Sequence, residues 1–201
     1  MIFIRYENWK SYVKYYPVTT LLLIANILMF LILTINGGST DAITLIRFGA
    51  LVNEGEVWRY VTAMFLHNGF DHLLFNCFAL LVFAPPLERL LGGWRYVILY
   101  LLSGVVGNVL SAAYYTQIGG LYLSVGASGA IYGVYGAFLY IAVLQRRILD
   151  ESSRKTLYAM LIIGILSSFM ISNVNWMGHF GGLIGGFFIY GIMIRLTKKR
   201  R

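Results

Sequence analysis

Apolar residues in this chain run in long blocks with polar breaks between them. Six blocks are each roughly long enough to cross a bilayer, which takes about 20 residues as a helix. They cover about 18–36, 71–91, 95–115, 121–144, 156–173 and 176–195. Some breaks are short: "TQIGG" (Thr116 to Gly120) separates the third block from the fourth, and "NVN" (Asn173 to Asn175) the fifth from the sixth. The pattern predicts an all-α membrane protein, a six-transmembrane-helix bundle forming a single domain over 1–201. The first connection, about 37–70, is long and unusually apolar, with "EVWRYVTAMFLHNGF". Such a loop is expected at the membrane interface, with the Trp58 ring at headgroup depth and the Arg59 guanidinium reaching phosphate. Simple anchoring and a specific role are both open for that pair.

Composition agrees. Of the 201 residues, 59% are hydrophobic and 12% charged, about half the charged share of a soluble domain. The formal charge of +8 could suggest nucleic acid, but its placement argues against that. Arg5, Lys10, Lys14, Arg89, Arg95, Arg146, Arg147, Arg154, Lys155, Arg195, Lys198, Lys199, Arg200 and Arg201 fall on one side of a six-span bundle. Only Arg47 and Arg59 fall on the other. The positive-inside rule then places both termini in the cytoplasm, with the basic ends attracted to anionic lipid. The basic and aromatic first residues precede a block without a small-residue cleavage site, so it reads as a retained first helix. Cys77 is the only cysteine, so no intrachain disulfide forms, and it reads as a small core residue.

Few polar groups lie inside the blocks, and those that do are functional candidates. His72 and Asn76 begin the second, Ser128 lies early in the fourth, and His179 early in the sixth. The even-numbered spans all enter from outside, so these four groups share one layer near the extracytoplasmic end. His72 and Asn76 are at i, i+4, on one helical face. Ser128 sits in "GASG", between Gly126 and Gly129, where small residues also serve helix packing. Gly129, Gly133 and Ala137 form one small-residue ridge, and Gly182 and Gly186 a second, following His179. Two such ridges allow close backbone approach and would bring His179 to Ser128. An imidazole is the base a serine hydroxyl needs. No carboxylate shares that depth, which predicts a Ser–His dyad instead of a triad. His72, Asn76 and the Ser128 amide are the expected oxyanion donors. Asn26 and Asn108 read as interhelical hydrogen-bond glue.

These motifs resemble, in order, the rhomboid family of intramembrane serine proteases, from about Pro17 to Arg195. "WR" at Trp58-Arg59 resembles the family's first-loop signature. "HNGFDHLLFN" resembles its H-x-x-x-N segment, with His67 as an additional loop histidine. "GASG" resembles the G-x-S-G nucleophile motif, and "GHFGGLIGG" the last core helix. The resemblance implies Ser128 as nucleophile, His179 as base, and Tyr132 packed on the histidine. It also implies a membrane-embedded first-loop hairpin and a moving gate at the fifth loop and span. Gly178 stands where alanine is common in the family. Pro85-Pro86 is expected to kink or end the second helix. The minimal six-span form, without a visible transit peptide, suggests a bacterial plasma membrane.

The implied activity is cleavage of single-span membrane proteins near the extracytoplasmic side. It calls for no cofactor and no metal, with transmembrane substrates and the lipid bilayer as partners and no nucleic acid. Two alternatives compete. One is an inactive relative that binds membrane clients. The other is a metal site or transporter built on His67, His72 and His179.

Overall fold

A computed structural model describes residues 1–53, 55–119, 122–171 and 174–198 of the chain. The elements run α1 (Trp9–Tyr15), α2 (Pro17–Ile35), α3 (Ala42–Arg47), β1 (Leu51–Val52), α4 (Arg59–Thr62), a 3-10 turn (Ala63–Phe65), α5 (Phe70–Leu91), α6 (Gly93–Gln117), β2 (Leu123–Ser124), α7 (Ser128–Leu144), α8 (Glu151–Met170) and α9 (Trp176–Lys198). Among the described residues, four helices are long and apolar enough to cross a membrane: α2, α5, α6 and most of α9. The other two predicted blocks are also helical. α7 has 17 residues, and α8 has a charged first turn with Glu151, Arg154 and Lys155.

Local chemistry sets the ends. Pro17 opens α2 at the position where a missing N–H costs nothing. The first amides of α2, which have no acceptor within the helix, are met from α5: Val18 N and Thr19 N donate to the Glu88 carboxylate at 2.9 and 2.8 Å, and the Thr19 hydroxyl adds a third bond. A buried anion at a helix N-terminus is favoured by the helix dipole. Asp150 caps α8 by accepting from the Ser153 amide and hydroxyl, which hold its carboxyl down at about 2. Gly92, at φ +78°, makes the turn between α5 and α6.

Three expectations from the sequence are corrected. Pro85 and Pro86 lie inside α5, and the helix neither ends nor breaks there. A proline at 85 cannot donate to the carbonyl of residue 81; the Tyr12 hydroxyl takes that place, donating to Leu81 O at 3.1 Å. The fourth block also starts later than position 121. Residues 123–124 form an antiparallel pair with 51–52, and the helix begins only at Ser128; Leu121 lies outside the described residues. The fifth block, expected over 156–173, begins earlier, at Glu151, and its last two positions are likewise outside them.

The first connection folds as α3, β1, α4 and the 3-10 turn, around a small core of Leu33, Leu45, Ala50 and Leu66. The main core lies between the long helices, with Tyr16, Tyr96, Tyr100 and Phe138 almost fully enclosed. The closest packing joins α9 to α7 and α6, whereas α8 touches α7 and α9 sparsely.

Candidate active site

Glycine makes a backbone-to-backbone approach of two helices possible. A Cβ on Gly182 of α9 would lie 1.9 Å from the Gly129 carbonyl oxygen of α7, and one on Gly186 would lie 1.9 Å from that of Gly133. Gly136, not singled out from the sequence, faces the Leu183 carbonyl equally closely, and Gly107 of α6 faces Gly178. No side chain fits at these points, so α7 and α9 meet backbone to backbone, as the two ridges predict.

That contact fixes the distance between the residues the helices carry. Ser128 Oγ lies 2.8 Å from His179 Nε2. The Tyr132 ring stacks on the imidazole, centroids 4.2 Å apart and planes within 7°. The other ring nitrogen, Nδ1, lies 2.7 Å from Ser168 Oγ of α8. Tyr132 and Ser168 hydroxyls are 3.2 Å apart. Ser168 was not expected from the sequence.

His72 lies against the same loop. A Cβ on Gly126 would fall 2.7 Å from His72 Nε2 and 3.7 Å from Ser128 Oγ, and Gly126 has φ +124°, so glycine is required twice over. The Gly126 amide donates to Ala63 O at 2.8 Å, which pins the loop to the 3-10 turn. His72 Nδ1 accepts a long bond from Asn68 N, 3.4 Å. With Nδ1 as acceptor, the neutral ring carries its proton on Nε2, towards the serine loop. Asn76 is buried and donates one amide N–H to His72 O at 2.9 Å, leaving its second N–H for another acceptor.

Asn175 appears in the sequence only as the end of the "NVN" break, without a role. It accepts from the Ser111 hydroxyl of α6 at 2.8 Å and from Gly178 N at 2.9 Å, and it donates to Ser124 Oγ of β2 at 2.8 Å. It thereby ties the start of α9 to its neighbours one turn before His179. An asparagine just ahead of an apolar helix was the available signal.

Other predicted residues fall elsewhere. Arg59 does not reach outward to phosphate. Its Nη1 donates to the Ile46 and Ala50 carbonyls at 2.6 and 3.0 Å, it pairs with Glu56, and its guanidinium lies 4.6 Å over the Trp58 ring. The Ile46 carbonyl in the last turn of α3, which also accepts from Gly49 N, and the Ala50 carbonyl beyond it hold the guanidinium inward, and Trp58 stays half exposed. Asn108 donates to Tyr60 O at 2.8 Å, joining α6 to α4. Asn26 is fully buried, and neither amide atom finds a partner among the described residues, so it is not glue. His67 is buried with its ring 5.2 Å from that of His72. His179 commits both ring nitrogens to hydroxyls, and among the described residues no three His, Cys, Asp or Glu side chains converge as a metal set.

An apolar cleft of about 280 Å³ opens beside the imidazole, between α8 and α9, walled by Ile165, Phe169, Phe180 and Leu183. Comparison with known proteins bears on the family. The family model described as the rhomboid domain matches residues 54–196. The chain is 36% identical to "Putative rhomboid protease YdcA" of Bacillus subtilis (strain 168), over 99% of this chain and 100% of that protein. It is 42% identical to "Rhomboid protease GluP" of the same organism, over 86% of this chain but only 34% of the relative. It is also 36% identical to "RHOMBOID-like protein 5" of Arabidopsis thaliana, over 75% of this chain and 50% of that one. The chain belongs to the rhomboid family.

Proposed function

We propose that the chain is an intramembrane serine endopeptidase with a Ser128–His179 dyad, cutting membrane-spanning substrates near the extracytoplasmic side. The observation that carries this reading is the 2.8 Å contact from Ser128 Oγ to His179 Nε2, held by backbone-to-backbone packing. His179 Nε2 takes the hydroxyl proton as Oγ adds to the scissile carbonyl carbon. The resulting oxyanion is met by the Ser128 amide at the start of α7, His72 Nε2–H and the free N–H of Asn76. The tetrahedral adduct collapses, the C–N bond breaks, and the leaving amine collects the proton from His179. Water then repeats the sequence on the acyl-serine ester, with His179 as base, and frees Ser128.

Helix lengths favour a recessed site. The 17 residues of α7 rise about 1.5 Å each, some 25 Å against about 30 Å of hydrocarbon. Six spans with cytoplasmic termini put Ser128 at the outer end of this short helix, below the surface. The first connection, stitched to residues 123–124 by a strand pair, lies beside it as the membrane-embedded loop. A substrate helix must unwind locally to present its carbonyl, and the crowded glycine-lined site favours small residues at the cut. The sparse contacts of α8 suit lateral entry.

Replacing Ser128 or His179 by Ala tests this. Cleavage of a transmembrane reporter in proteoliposomes should fall by at least about 10,000-fold, and a fluorophosphonate should label wild type but not Ser128→Ala. Persistent cleavage in Ser128→Ala overturns the serine mechanism. A wild-type chain that neither cleaves nor labels would leave the client-binding alternative.

A further inference from the structure

Ser168 is buried within α8 and no step above employs it. Its Oγ has three neighbours: Gly164 O at 2.7 Å, His179 Nδ1 at 2.7 Å and the Tyr132 hydroxyl at 3.2 Å. A serine hydroxyl has one proton and two lone pairs. The Gly164 carbonyl can only accept, so the proton of Ser168 goes there, in the back-bond to residue i−4 that helical serines commonly make. Oγ is then an acceptor for its other two neighbours. It receives one bond from Tyr132 O–H and one from the imidazole, which requires hydrogen on Nδ1.

We infer that Ser168 is a positioning residue that selects the Nδ1–H tautomer of His179 and so keeps the Nε2 lone pair facing Ser128. The inference rests on the dyad reading and adds to it. The opposite tautomer would oppose the Nδ1 lone pair to an oxygen already committed as acceptor. It would also place N–H, not a lone pair, against the hydroxyl that must be deprotonated. When Nε2 takes the proton of Ser128, the ring becomes a cation, and the Nδ1–H bond to Ser168 becomes charge-assisted and stronger. Ser168 thus does the orienting work that a carboxylate does in a triad. A hydroxyl does it without burying a second charge in the membrane, where ionised side chains are costly.

The test uses the full chain purified in detergent, with Ser168→Ala, Ser168→Thr and Ser128→Ala. Ser168→Ala should lower kcat about 10- to 100-fold, the range for losing one hydrogen bond to a group that becomes charged. KM should stay within about twofold and the unfolding midpoint within a few degrees, because the helix loses only a hydroxyl. Ser168→Thr, whose hydroxyl makes the same back-bond, should recover most of kcat. Nitrogen-15 NMR of labelled histidine gives a readout independent of turnover. The His179 Nδ1 signal should be that of a protonated nitrogen in wild type and a tautomer mixture in Ser168→Ala. An unchanged tautomer in Ser168→Ala, or unchanged kcat, overturns the inference, as does a well-folded Ser168→Thr as slow as Ser168→Ala. Activity surviving in Ser128→Ala would instead sink the dyad reading, whatever the tautomer.

Discussion

The two seams that meet at His179 are built by opposite rules. Along α7 and α9, glycine faces carbonyl: Gly182 meets Gly129 and Gly186 meets Gly133, with no room for a methyl group. Along α8, contact with α7 and α9 is sparse and made by side chains: the Tyr132 and Ser168 hydroxyls, the Ser168 bond to the imidazole, and the apolar walls of the cleft. The proposed nucleophile and base are carried on the first seam. The hydrogen bond to the far side of the base comes from the second. Backbone packing has no rotamers to lose, so it holds the helices that set the 2.8 Å Ser128–His179 contact firmly. Side-chain contacts can part and re-form, so α8 can shift without moving Ser128 away from His179. Displacing α8 would then cost the tautomer before it cost the dyad.

One methyl group placed in each seam tests this most severely. In Gly182→Ala the new Cβ meets a backbone oxygen at 1.9 Å, and α9 must move away from α7 as a body. Misplacement of about 1 Å between reacting groups costs on the order of 100-fold. Reporter cleavage should fall at least that far, with the unfolding midpoint down by roughly 5–10 °C. In Gly164→Ala of α8 the Cβ meets only the end of the Tyr132 side chain, at 2.5 Å. That hydroxyl or α8 can yield, and the loss should stay under about tenfold. Equal losses at both positions would erase the distinction between the seams.

The sequence revealed much of the first seam and little of the second. Ser128, His179 and the glycines between them follow from residue spacing and a shared depth, because a glycine ridge is a local pattern. Tyr132 came only through family resemblance. Ser168 was hidden because the face that α8 turns inward depends on its neighbours, and "SSF" offers two serines with nothing to choose between them. Other misses have the same non-local cause. α5 continues through Pro85 and Pro86 because Tyr12 answers the freed carbonyl of Leu81. β1 exists because Leu51 and Val52 find partners in Ser124 and Leu123. Arg59 turns inward because the Ile46 and Ala50 carbonyls, 13 and 9 residues away in the chain, fold back to accept from it.

A third region shows what happens when a buried polar group belongs to neither kind of seam. Asn26 in α2 is enclosed, yet neither of its amide atoms is bonded among the described residues, whereas the buried hydroxyl of Ser168 has three partners. An unpaired buried amide costs about 1–3 kcal/mol. Asn26→Leu, similar in shape, should raise stability by about 1 kcal/mol, or roughly 3 °C in unfolding midpoint, with unchanged cleavage. A fall in stability would mean that the amide has a partner and that α2 is joined to its neighbours by a polar contact after all.

The smallest expected effect separates the two contributions of Tyr132, which belongs to both seams. Its ring lies flat on His179, and its hydroxyl reaches across to Ser168. Tyr132→Phe keeps the stack and removes only a 3.2 Å bond that reinforces Ser168 without touching the imidazole. Ser168 keeps Gly164 and His179 as partners, so the Nδ1–H tautomer should survive and kcat should fall only about threefold. Tyr132→Ala removes the face on which the ring rests and opens a cavity beside it, so its loss should be at least ten times larger. If Tyr132→Phe proved as damaging as Tyr132→Ala, the hydroxyl would be the part that matters. The weaker seam would then govern the base as strongly as the glycine seam does.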